Sequence, residues 1–310
     1  MKTFKLSNGY ELPVIPGFRE TIKSGWRNAY KEFEYSPIPK DKTHKLKHDI
    51  NLANYFLSKH GISIKDKKIM DVGCYLGIQC FGAVELGASE AVGIDIPEYY
   101  VNQSTGDVNE KDASLVLEER RNHVREHFPN IDHSKITFED VSVFEMDYQE
   151  EFDIIFSWET FEHITNPKEA LKRIHKALKP GGISFHNYNP FFCISGGHSM
   201  CTLDYPFAHT FLTNEDFKNY INTLAPDSPP EKYTDLSYEF FTKNLNRMTQ
   251  NDLRGYLKDE NFNVLDFIAM PDFNVLQNID ENTLTLAKQL YPNLTLNDLL
   301  CSNVYFTIQK

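Results

Sequence analysis

The passage from Ile69 to Asp95, IMDVGCYLGIQCFGAVELGASEAVGID, limits the possible folds of this chain more than any other. An apolar strand breaks at Gly73 and Gly77, a helix runs from about Leu76 to Leu86, and a second strand, EAVGID, follows. Strand, helix and strand in that order make a crossover unit, which joins parallel strands and winds right-handed. The alternation continues: KITFED and FDIIFS read as the third and fourth strands, and ISFHNY as the fifth. Between them lie a polar amphipathic helix, EKDASLVLEERRNHVREHF, and a helix in NPKEALKRIHKALKPGG. In the latter Asn166 caps, Pro167 opens the first turn, and Leu171, Ile174 and Leu178 form the apolar stripe. The chain is therefore expected to be an α/β protein, with a mostly parallel sheet and helices on both faces.

Residues 1–65 read as an irregular, proline-punctuated arm followed by one helix, packed on the core. That helix, HKLKHDINLANYFLSKHG, places Leu46, Ile50, Ala53, Tyr55 and Leu57 on roughly one side. The main domain spans 66–310 and contains an inserted lid at about 188–250. The first part of the insertion, NPFFCISGGHSMCTLDYPFAHTF, is rich in Gly, Pro, His and aromatics and long for a passive connection. LTNEDFKNYI and MTQNDLRGYL open helices by the same device, with Thr213 and Thr249 as caps and Asp216 and Asp252 three residues on. FNVLDFIAM and NVYFTIQ supply the last two strands.

The net charge of −12 argues against broad nucleic-acid binding. The first 50 residues nevertheless carry a net +4 and the remaining 260 a net −16. Either the basic arm is simply solvated, or Arg19, Lys23 and Arg27 meet an anionic group of the substrate, which the arginine fork suits. No apolar run approaches the ~20 residues of a membrane span. The start has no apolar signal-peptide core, so a cytoplasmic location and no membrane partner are expected. Five cysteines without a CxxC pair fit reduced thiols.

In a parallel sheet, ligands gather at the carboxyl ends of the strands. Asp71-Val72-Gly73-Cys74-Tyr75-Leu76-Gly77 occupies such an end. Gly73 permits a tight exit from the strand and Gly77 a close approach of the helix to the sheet. Asp95, 22 residues after Gly73, can accept hydrogen bonds from both hydroxyls of a ribose. This pattern denotes an adenosine cofactor without separating a dinucleotide from S-adenosylmethionine (SAM). Tyr75 helps to separate them, because it obstructs the backbone approach that a pyrophosphate needs. Asp71 points a carboxylate toward the amino-acid tail of a sulfonium cofactor. Asp140, FDIIFSWETFEHITNP and ALKPGG follow downstream.

On DVGCYLG, GID, EDV and SWETFEHITNP…LKPGG, the chain from about residue 66 onward resembles the class I SAM-dependent methyltransferases. The resemblance implies a seven-stranded sheet in the order 3-2-1-4-5-7-6 with strand 7 antiparallel. It implies SAM as cofactor and S-adenosylhomocysteine as product. It places Asp71, Gly73, Cys74, Tyr75 and Gly77 along the cofactor, and Asp95 with Ile96 at the ribose. Asp140 and Val141 fall at the adenine, and Ser157 and Trp158 near the methionine end. The departure is Tyr75, where the family usually has glycine.

Methyl transfer to a hydroxyl needs an aligned nucleophile and a base. The bases offered are His198 and His209 in the loop, then His163, with Glu159, Glu162 and Asp204 as further polar groups. A divalent metal is weighed and not favoured, since no HxH or HExxH spacing occurs. The block from Asn189 to Phe217 resembles a loop of bacterial methyltransferases acting on polar acceptors. Phe191, Phe192, Tyr205, Phe207 and Phe211 would suit a stacked sugar ring, against the alternative that they pack the loop down. The expected reaction is O-methylation of a small polar acceptor, a sugar or sugar nucleotide of a surface-polysaccharide pathway. The alternatives are an amine, a tRNA base, or SAM binding without turnover. Homo-oligomerisation is left open.

Overall fold

The computed structural model describes residues 2–22, 37–96, 110–224 and 231–310. A short antiparallel hairpin, β1 (Thr3–Lys5) and β2 (Glu11–Pro13), comes first. The main sheet contains β3 (Lys68–Val72), β4 (Glu90–Asp95), β5 (Ile136–Asp140), β6 (Phe152–Trp158), β7 (Leu178–Tyr188), β8 (Asn263–Pro271) and β9 (Cys301–Gln309). Its spatial order is β5-β4-β3-β6-β7-β9-β8. Counted within the sheet, that is 3-2-1-4-5-7-6, and β9 runs antiparallel to both its neighbours, as the resemblance implies. Strand order reverses at β3, which pairs in parallel with β4 on one side and β6 on the other. The carboxyl ends of these strands open a crevice there. β3 and β4 read as nearly continuous apolar runs because helices cover both faces of the sheet.

The N-terminal helix is two pieces, Thr43–Leu46 and His48–Lys59. Ile50, Ala53, Phe56 and Leu57 are buried, and Tyr55 is 61% exposed. At 3.6 residues per turn, position 55 falls off the face that 50, 53 and 57 share, so Phe56 does the packing expected of Tyr55.

The aromatics of the inserted segment are packed down in this structure. Phe191, Phe192, Phe207 and Phe211 sit in a second hydrophobic core, with Phe4 and Leu12 of the hairpin, Phe240 and Phe241. Phe217 and Phe241 stack with ring centroids 3.9 Å apart. Such side chains each bury some 150–250 Å², so a segment this aromatic gains more by packing than by staying open. The two threonine caps form: Asp216 N–H donates to Thr213 Oγ1 and Asp252 N–H to Thr249 Oγ1, each at 3.1 Å. The hairpin and the helices Glu281–Leu290 and Leu296–Leu300 were not anticipated from the sequence. No helix among the described residues is long and apolar enough to cross a membrane.

Candidate active site

Two cavities meet at the carboxyl end of β3 and share Gly73 and His163. One, of about 270 Å³, is lined by Asp95, Ile96, Val141, Ser142 and Phe144. The other, of about 390 Å³, is lined by Asp71, Tyr75, Trp158, Glu159, Glu162 and His198 among others.

The loop between β3 and the helix Ile78–Glu85 carries both glycines in the left-handed region, with φ of 74° at Gly73 and 73° at Gly77. A Cβ on Gly73 would stand 2.4 Å from Thr160 Cγ2, and one on Gly77 would stand 2.2 Å from Phe138 Cζ. The chain's own neighbours therefore demand glycine at both places. Gly77 serves to seat the helix on Phe138 and lines neither cavity.

Tyr75 is also left-handed, with φ of 42°. Its N–H donates to Asp95 Oδ2, and its carbonyl accepts from Arg121 Nε at 2.9 Å. Its hydroxyl accepts from Arg120 Nη1 at 3.3 Å. Arg121, 2% exposed, reaches Cys74 Sγ at 3.5 Å and lies 4.2 Å from the centroid of the Phe138 ring. Sequence reasoning missed Arg121, because a charged residue in EERR reads as part of a solvated helix face.

Asp95 also accepts from Ile96 N–H at 2.7 Å. Burial raises its pKa to about 6, against the hydrogen bonds from Tyr75 and Ile96 and the charge of Arg121. Each carboxylate oxygen keeps a second lone pair for a ribose hydroxyl. Asp71 is buried, and its Oδ1 has no partner among the described residues. Burial, then the charge of Asp95, holds its carboxyl well above the usual range. An ammonium group beside Asp71 would satisfy that oxygen. The residues present thus fit SAM, with adenosine in the smaller cavity and the amino-acid end in the larger.

Several expected residues are placed elsewhere. Ser157 is fully buried in the sheet, its Oγ 2.6 Å from His186 Nδ1, and lines neither cavity. Asp140 is exposed beside Asp95 in the strand register, and the wall next to it is made by Val141 to Phe144. His209 is corrected from base to packing residue. It lies buried edge-on to Phe191 at 5.1 Å, with burial lowering its pKa to about 3. Asp204 is likewise structural: Arg19 Nη2 and the Tyr220 hydroxyl donate to its Oδ2 at 2.8 and 2.7 Å. Arg19 is thereby committed to Asp204, and Lys23 and Arg27 lie outside the described residues.

The side chains that remain at the larger cavity are His163, His198, Glu159 and Glu162. His163 Nδ1 lies 2.7 Å from the carbonyl oxygen of Asn244. Met200 N–H donates to His198 Nδ1 at 3.2 Å. The two ring centroids are 6.3 Å apart. Burial lowers the pKa of His163 to about 4. Burial raises that of Glu162 to about 8, although Asn189 N–H donates to its Oε1 at 3.1 Å. Among the described residues, no group of three or more His, Cys, Asp or Glu is arranged to hold a metal ion.

A parallel sheet with a nucleoside-sized crevice at its switch point defines a cofactor-binding α/β protein. The chain belongs to the methyltransferase-domain family, whose model matches residues 43–266, and it is a SAM-dependent methyltransferase. It is similar to the ubiquinone biosynthesis O-methyltransferase of Pseudomonas syringae pv. tomato, 27% identical over 62% of this chain and 70% of that protein. It is also similar to the one of Acinetobacter baylyi, 26% identical over 59% of this chain and 68% of that protein. Among solved structures, it resembles magnesium protoporphyrin IX methyltransferase of Synechocystis with bound SAH, at 10% identity and a TM-score of 0.47, covering 94% of this chain and 97% of that one. Neither ubiquinone O-methyltransferase is named for a sugar, and of the aromatics expected to stack one, Phe191, Phe192, Phe207 and Phe211 are buried in the second core with Tyr205 partly buried against it.

Proposed function

We propose that the protein transfers the methyl group of SAM to a hydroxyl of a small polar acceptor, with His163 as general base and His198 as hydrogen-bond donor. The observation that carries this reading is the opposite tautomer of the two histidines. A carbonyl oxygen only accepts, so His163 donates through Nδ1–H, and its neutral ring carries the lone pair on Nε2. A backbone N–H only donates, so His198 accepts at Nδ1, and its neutral ring carries the proton on Nε2. One ring can take a proton from an acceptor hydroxyl while the other orients that oxygen. This order reverses the sequence-based preference for His198 and His209.

SAM bound in the two cavities supplies a sulfonium methyl group for in-line displacement. The chain holds the reactants in line, excludes water and removes a proton. Four carboxyl residues line the larger cavity, with no Lys or Arg among its described lining, which disfavours a sugar nucleotide or a tRNA phosphate. The relatives' O-methyltransferase names favour oxygen over nitrogen as the acceptor atom.

The test is incubation with SAM and a panel of hydroxylated metabolites, with release of S-adenosylhomocysteine measured and the methyl located by mass spectrometry. Product methylated on oxygen, with turnover strongly reduced in His163→Ala, is expected. Methyl on nitrogen, or an unchanged rate in that variant, would sink the reading.

A further inference from the structure

The wall of the larger cavity carries more acceptor capacity than a hydroxyl and the cofactor can use. Asp49 from the helix His48–Lys59, Glu159 after β6, and Glu162 in the turn that follows face it together. Their charges interact, since Glu159 acts on both Asp49 and Glu162. Asn189 links two of them: its N–H donates to Glu162 Oε1 at 3.1 Å and its Nδ2 to Glu159 Oε1 at 3.4 Å. None of the three carboxylates is ion-paired with a Lys or Arg among the described residues.

Two buried oxygens in this wall lack a donor among the described residues. Glu162, 2% exposed, has no partner for Oε2, and Gln79, 8% exposed, has none for Oε1. Against the burial that raises the pKa of Asp49, the Gln79 amide lowers it, as a donor near that carboxylate does, and the Gln79 carbonyl oxygen is the acceptor left over. Unsatisfied buried acceptors cost about 1–3 kcal/mol each, and native sites keep them where a ligand supplies the donor. Asp71 Oδ1 is set aside for the ammonium of the cofactor.

We infer that the acceptor carries a protonated amine next to its reacting hydroxyl, seated among Asp49, Glu159, Glu162 and Gln79; this rests on the O-methyl transfer reading above. An ammonium has three donors and no acceptor, which matches a wall with three carboxyl side chains beyond Asp71 and no Lys or Arg among its described lining. Trp158 and Tyr75 line the same cavity, so an alkylammonium stem there would lie beside aromatic rings. Described His, Cys, Asp and Glu side chains do not converge as metal ligands must, which favours a donor-rich organic cation over a divalent ion. The proposal names an amino alcohol, an amino sugar or an aminoethyl phenol as the substrate class.

The probes are glucosamine against N-acetylglucosamine and glucose, and dopamine against 4-methylcatechol. Each is titrated calorimetrically into the whole protein with S-adenosylhomocysteine present, then incubated with SAM. At least one amine is expected to bind about tenfold tighter than its neutral counterpart, the worth of one charge-assisted hydrogen bond. That ratio should collapse toward one in Asp49→Asn and Glu159→Gln, with S-adenosylhomocysteine affinity reporting that the variants are folded. Equal binding of amines and neutral counterparts, or binding of none, overturns the inference. Turnover of a neutral probe on oxygen in that case leaves the O-methyl transfer reading standing. Methyl on nitrogen overturns both. Tight magnesium or zinc binding that is lost in Glu159→Gln makes the wall a metal site and overturns the amine.

Discussion

Arg121 Nε donates to the carbonyl oxygen of Tyr75 at 2.9 Å, from a helix that lies beneath the cofactor loop. The same guanidinium faces Phe138, the ring on which Gly77 seats the next helix, and its charge opposes the raised pKa values of Asp71 and Asp95. Arg121 therefore positions the loop without lining either cavity. Lysine has neither the fork nor the planar stack, so Arg121→Lys should cost about 2 kcal/mol of stability. SAM binding should weaken by about tenfold, with the acceptor KM at saturating SAM changed far less. Calorimetry and denaturant unfolding measure both; unchanged SAM affinity would reduce Arg121 to a packing residue.

Tyr75 pays for its left-handed backbone, at about 1 kcal/mol or more for a side chain that is not glycine. Tyr75→Gly relieves that cost, and Tyr75→Ala keeps it while losing the ring. The glycine variant should therefore be the more stable of the two by about 1 kcal/mol, the reverse of the usual order within helices and strands. Urea unfolding of the pair decides this, and an alanine variant as stable as the glycine one would contradict it.

His163→Ala should lower kcat by about 10²–10⁴, the usual worth of a positioned base. SAM affinity should change little beside that loss. His198→Ala removes a donor and should cost about 10-fold in kcat/KM, near the worth of one hydrogen bond. Burial lowers the His163 pKa to about 4, so the ring stays unprotonated above that pH. The acidic limb of kcat/KM should accordingly lie near 4 and not near the 6.5 of an exposed imidazole. Single-turnover rates across pH 4–8 test the assignment.

The sheet was legible in the sequence because β3, β4 and β6 are largely apolar runs closed by glycine or acid, and β5 falls in the same alternation. β3, β4, β5 and β6 begin and end within about a residue of the expected segments. The cofactor loop was legible for the same reason: Gly73, Asp95 and Tyr75 lie in one continuous stretch whose spacing carries meaning. What could not be read was pairing across distance. Nothing in EERR announces that Arg121 lies under Tyr75, nor in FRETI that Arg19 meets Asp204, 185 residues away. The loop histidines show the limit of composition. His198 follows two glycines and His209 lies in YPFAHTF, both in one loop, and only packing puts one at the cavity and the other against Phe191.

Breaking the Arg19–Asp204 pair should be costly. Arg19 is almost wholly buried, and Asp204 Oδ2 also accepts from Tyr220. Asp204→Ala removes the carboxylate that pairs with a buried guanidinium, and breaking a buried pair from one side costs about 3–5 kcal/mol. The catalytic constants of whatever protein stays folded should remain near wild type, because neither residue lines the two cavities. Thermal unfolding and turnover at 15 °C separate the two effects, and a selective loss of turnover would return Asp204 to the active site.

Glu162 gives stability a pH dependence that can be isolated. Its folded pKa is raised from 4.5 to about 8, first by burial and then by the neighbouring charge of Glu159. The folded protein therefore keeps a proton that the unfolded chain gives up from pH 4.5 upward. Stability falls as pH rises across that window and levels off above about 8, by an amount on the order of 5 kcal/mol. Glu162→Gln has no proton to lose and lacks this slope. His163 and His209, whose pKa values are lowered, work the other way and lose stability as pH falls below 6.5, but they are present in both proteins and cancel in the difference. Urea unfolding of both proteins at pH 5 and pH 8 should show Glu162→Gln gaining several kcal/mol relative to wild type at the higher pH. Parallel curves would mean that Glu162 is ionised in the folded protein and already has a cation for company.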